Sequence, residues 1–185
     1  MRVRRRSRAL GGVEGRSRAR RAGLRTAVAA AVLLAAATAS FPATAHHGWG
    51  FYDTDTPLVF VGELVAVDYT NPHPEVMIEV AADSDLDPAS LPVPEPLVEL
   101  GFDDVLARAR PASAGRWTLD LAPISRLNRW GMPRAPEVGD PFAAIGFASC
   151  DEAGVARPSL IVLDGVGVRQ QSVRLPPGCS GEPRG

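Results

Sequence analysis

The three histidines of the chain fall in two places, at His46-His47 and at His73. Imidazole is the side chain most often found on transition metals, and it is largely neutral at pH 7. His73 lies in Asn71-Pro72-His73-Pro74, where prolines on both sides fix the backbone and exclude helix. His46 follows Ala43-Thr44-Ala45, which fits the A-x-A pattern of signal-peptide cleavage. A cut after Ala45 would give His46 a free α-amine beside its imidazole. Joined by His47 or His73, that residue makes a nitrogen-rich set suited to square-planar Cu(II). Asp53, Asp55 or Tyr52, a few residues on, could complete an axial position. A cut after Ala43 would instead leave Thr44-Ala45-His46, a chelate with histidine third, but it puts Phe41 at a position that signal peptidase disfavours. The plainer alternative is a passive histidine pair at the boundary, with His73 capping a turn.

Cys150 and Cys179 are the other chemically distinctive pair. In an exported chain they would meet an oxidising compartment, where two thiols in a small domain pair. The neighbours of Cys150 are Ala148-Ser149 and Asp151-Glu152, which supply no positive charge to activate a thiolate, so a disulfide is expected rather than a nucleophile. Asp83-Ser84-Asp85-Leu86-Asp87 resembles the opening of a calcium loop, but Pro88 and Pro94 stand where glycine and glutamate are needed, which excludes an EF-hand. Arg126, Arg129 and Arg134 form a local basic cluster, read as an anion contact or as a solvated face paired with nearby acids. No G-x-S-x-G, H-E-x-x-H, glycine-rich phosphate loop or Cys-x-x-Cys occurs, so the residues point to a binding protein rather than an enzyme.

Export rests on the first part of the chain. Residues 1–45 hold ten Arg and a single acid, Glu14, for a charge of +9. Residues 46–185 hold ten Arg and 20 acids, for a charge of -10. Arg2 to Arg25 is a positive n-region, and Ala27 to Ala37 opens an apolar run of about 11 to 13 residues, short of the ~20 needed to span a bilayer. Residues 1–45 are therefore expected to be a cleaved signal peptide, leaving no transmembrane helix in a periplasmic or extracellular chain. Arg20-Arg21 hints at twin-arginine export. The acidic remainder repels phosphate and disfavours nucleic acid.

The elements that must position these residues read as strands. Leu58 to Tyr69, with Gly62 as a bulge, and Glu75 to Ala81 form a hairpin about the Asn71-Pro72 turn. Trp117 to Leu121, Pro141 to Ala148, Leu160 to Leu163 and Val166 to Arg169 follow. Ser125 to Trp130 reads as one short helix, with Ser125 as its cap and Gly131 as its stop. Residues 82–115 are rich in proline and aspartate and read as a long inserted loop with one helical turn at Phe102 to Arg108. The expected fold of residues 46–175 is mainly β, a small Greek-key barrel of the OB type, with a β-sandwich as the alternative. Residues 176–185 should be an irregular tail tethered only by Cys179.

One ordered set of residues carries a resemblance. Ala45-His46-His47-Gly48-Trp49, Tyr52-Asp53, Val61-Gly62-Glu63-Leu64, Asn71-Pro72-His73, Trp117-Thr118-Leu119, Gly139-Asp140 and Asp164-Gly165 are similar to a bacterial family of exported proteins without an assigned activity. Its members open with Ala-His-His after the signal and carry Asn-Pro-His between the first two strands. The likeness covers most of residues 45–168 and implies a secreted small β-barrel, with His46, His47, Asn71 and His73 as motif residues. The proline-rich segment 82–115 and the cysteine-bearing tail depart from it. Three functions remain in view. One is a binding domain for copper or for a small ligand. The second is an envelope-associated interaction module with structural histidines and the 82–115 loop as its contact surface. The third is a copper oxidoreductase with an N-terminal histidine brace.

Overall fold

The computed structural model describes residues 48–82 and 86–180. His46, His47 and the signal segment lie outside the described residues, as do Asp83 to Asp85 of the calcium-like motif. Among the described residues seven strands form one sheet: β1 (Leu58–Asp68), β2 (Glu75–Val80), β3 (Arg110–Pro111), β4 (Gly115–Asp120), β5 (Pro141–Ala148), β6 (Val155–Leu163) and β7 (Val166–Arg169). The order β2-β4-β6-β5-β1 closes on itself through the antiparallel β1–β2 pair, and β4 runs parallel to β6. This is the closed five-stranded OB-type barrel the strand pattern predicts, and closure rules out the sandwich. β3 and β7 pair outside the ring, with β1 and β6.

β1 serves two neighbours because it bends. Its first half pairs with β5 and its second with β2, and Gly62 pairs with both Phe142 and Val80. A Cβ on Gly62 would stand 1.9 Å from the Glu79 carbonyl oxygen, so glycine is there for close approach. The bulge expected at Gly62 lies instead between Leu64 and Ala66. Alternation in β2 holds, with Val76, Ile78 and Val80 buried. β6 starts earlier than expected, at Val155, because Pro158 reads as a strand breaker. It is accommodated opposite Gly146 at a register shift in β5, where a missing N–H donor costs no ladder bond. The helix between β4 and β5 runs Ile124–Arg129 with Pro123, not Ser125, at its N-cap. It stops as expected at Gly131, whose φ is +91°, and Met132 N–H donates to the Leu127 carbonyl.

Where the sequence reads as an inserted loop, the described residues are packed. They carry two short helices, α1 (Glu95–Val98) and α2 (Phe102–Arg108), ahead of β3; the Ile124–Arg129 helix is α3. Leu91, Leu97 and Phe102 join Val59, Ile145 and Leu160 in a second apolar cluster on the outside of the barrel. The loop reading followed from five prolines, but these prolines separate apolar residues of which Leu91, Leu97 and Phe102 are buried. Among the described residues no helix is long and apolar enough to cross a membrane.

Candidate functional site

The described chain begins on the barrel wall. Trp49–Phe51 form a single 3-10 turn, and Tyr52 then bridges to Ser149 beyond β5. Asp53 N–H donates to the Ala148 carbonyl at 2.9 Å. The Trp49 ring meets Tyr52 and Phe147 edge-on, with centroids 6.3 and 6.1 Å apart. Tyr52 turns inward, 6% exposed, and its hydroxyl donates to Asp120 Oδ2 at 3.2 Å.

Asp120 ends β4, and across the sheet it faces Glu75 of β2. On its other side Arg157 of β6 brings Nη1 to 3.7 Å from Asp120 Oδ2. The Arg157 guanidinium also lies 5.0 Å from the Trp49 ring centroid and 5.7 Å from that of Tyr52, an arrangement in which ring quadrupoles favour the cation. A carboxylate, a phenol, a guanidinium and an indole thus share one end of the barrel. Burial foremost, then the Asp120 charge, pushes the Tyr52 pKa above its ordinary value, and its hydroxyl is an inward hydrogen-bond donor.

The segment bearing His73 arrives at the same place. Leu121 N–H, next after Asp120, donates to the Pro74 carbonyl at 3.0 Å. His73 is half-buried there, one residue before that bond. Asn71 and Pro72 are exposed in the turn, and their peptide bond is cis. Asp53 faces elsewhere: its Oδ1 lies against the tail, 2.9 Å from where a Cβ on Gly178 would be. Among the described residues no three His, Cys, Asp or Glu side chains gather as a metal centre, so a copper site at this end needs His46 and His47.

Cys150 and Cys179 form the expected disulfide. The tail has no regular structure, yet it is held by more than the bridge, since Thr54 Oγ1 donates to the Pro176 carbonyl at 2.6 Å. The basic cluster splits. Arg134 forks onto Asp140 and Asp164, while Arg126 stacks on Trp130 with Arg169. Sequence reasoning missed Asp120 and Arg157. The signal available was weak: an acid closing the apolar stretch Trp117 to Leu121, and an arginine before Pro158 at a barrel edge. No family model, curated protein or solved structure matches the chain, so the likeness to the Ala-His-His family rests on its motif residues.

Proposed function

We propose that the chain is exported and that its barrel is a non-enzymatic binding domain, which holds copper through the α-amine and imidazole of His46 with His47 and His73. The observation that carries this reading is the meeting at Asp120 of the segment following His46-His47 with the segment bearing His73. Tyr52 reaches Asp120 through its hydroxyl, and Pro74 reaches the neighbouring Leu121 through its carbonyl. Three peptide units separate His46 from Trp49, a reach of at most about 11 Å. The charge of -10 on residues 46–185 draws cations towards the domain. Neutral nitrogen ligands select copper over harder ions.

The test is a Cu(II) titration of exported chain whose N-terminus is sequenced as His46, beside a chain bearing one extra N-terminal residue. Sub-micromolar binding that is lost on extension and weakened by His73→Ala is expected. Equal, weak binding by all three chains overturns the reading.

A further inference from the structure

The tail and the exit of β5 grip the chain just after the histidine pair. Cys150 N–H donates to the Phe51 carbonyl at 3.0 Å, and Cys179 N–H donates to the Tyr52 carbonyl at 3.2 Å. Gly178 N–H reaches Asp55 Oδ2 at 3.3 Å, and Thr54 is tied to Pro176. A side chain on Gly178 would strike Asp53 and Thr54, so the tail lies directly on this segment. The Cys150–Cys179 bridge joins the two halves of the grip. Beyond Gln171 no described residue is fully buried, and Leu175 and Pro176 are half-buried, so the bridge and these hydrogen bonds are the specific ties on the tail. Both cysteines are exposed, within reach of a thiolate from solution.

We propose that this bridge is a redox clasp on the N-terminal segment: a dithiol reductant opens it, the tail lifts from residues 52–55, and metal held at the N-terminus is released more readily. The consequence for metal rests on the copper reading above; the mechanics of the clasp do not. In the exchange, one thiolate of the dithiol attacks a bridge sulfur and forms a mixed disulfide, and the other cysteine leaves as a thiolate. The second thiol of the dithiol then attacks the mixed bond. Two electrons and two protons pass to Cys150 and Cys179, and the dithiol ends as a disulfide.

Two measurements on the exported chain test this. Amide hydrogen exchange compares the oxidised chain with chain reduced by a dithiol and desalted under argon. Reduction should speed exchange at Asp53 and Cys179 by at least about tenfold while β1, β5 and β6 keep their protection. Unchanged exchange at Asp53 overturns the clasp. So does loss of protection throughout the barrel, since the bridge would then hold the fold as a whole. Cu(II) titration compares the oxidised chain with the Cys150→Ser/Cys179→Ser double variant, which has no thiols to capture the metal. Affinity should fall at least about tenfold in the variant. An oxidised chain that binds no Cu(II) overturns the copper reading and the coupling together. Tight binding of equal strength in both overturns the coupling alone.

Discussion

Asp120 holds together two side chains, Tyr52 and Arg157, that arrive from different parts of the chain. It is 7% exposed; it accepts a hydrogen bond from the Tyr52 hydroxyl and lies 3.7 Å from the Arg157 guanidinium. Its removal takes the carboxylate away from the largely shielded Arg157 guanidinium, whereas loss of the Tyr52 hydroxyl leaves the ion pair in place. Asp120→Ala should therefore cost roughly 3 kcal/mol and Tyr52→Phe about 1 kcal/mol, read as shifts in urea unfolding. Equal costs would contradict the assignment. The Tyr52 pKa carries a second expectation. A pKa raised in the folded chain contributes stability that is complete below the ordinary value of 10.0 and lost as pH rises beyond it. Ultraviolet titration of the native chain should show less tyrosinate at pH 10 than two ordinary phenols would give, and Tyr52→Phe should shrink the alkaline loss of stability. Of this cluster only Tyr52 and His73 are visible as chemistry-bearing residues in the sequence. Asp120 and Arg157 are ordinary charges there, and only the parallel β4–β6 pairing, a contact between segments far apart in the chain, makes them neighbours.

At the scale of elements the barrel depends on one strand having two partners. β1 can pair with β5 and β2 only if its backbone comes close to β2 at Gly62. The atom in the way of any side chain there is the Glu79 carbonyl oxygen, which cannot move without breaking the ladder. Gly62→Ala should destabilise the fold by more than about 3 kcal/mol, with accelerated amide exchange in β2 ahead of the other strands. Wild-type-like exchange in β2 would refute this. The long β4–β5 connection is secured differently, by Arg134 bridging Asp140 and the β6–β7 turn at Asp164. Hydrogen bonds from Arg134, then from the Glu137 backbone, hold the Asp140 carboxyl below its ordinary value of 3.8. A depressed pKa contributes stability above that ordinary value and loses it as pH falls further. Asp140→Asn should therefore be less stable than wild type at pH 7, and the gap should close below about pH 4; a gap independent of pH would count against the bridge. Strands that alternate cleanly, such as β2, were legible within a residue at each end. The bulge, the early start of β6 and the packing of the insert were not, because each depends on which strand lies alongside.

For the whole molecule, the two apolar clusters are built from the same strands. Phe60, Ala144 and Ile161 face the barrel interior, while their neighbours Val59, Ile145 and Leu160 face the insert. A strand cannot keep one face ordered while the other melts, since a single backbone sets both. The insert is therefore a second layer of the fold rather than an appendage, and Gly167 of β7 passes so near the Pro92 carbonyl that no side chain would fit. The apolar runs of β5 and β6 already carried this information: a strand of a one-layer barrel alternates, and Phe142 to Phe147 does not. Leu97 offers the sharpest test, being wholly buried though it stands in the proline-rich stretch. Leu97→Ala should cost about 2–5 kcal/mol, comparable with Ile78→Ala in the barrel core. Both variants should move one shared unfolding transition, followed in urea by tryptophan fluorescence and by far-ultraviolet circular dichroism. If Leu97→Ala instead splits off an early phase and leaves the Ile78-dependent transition where it was, the insert folds separately and the two-layer account fails.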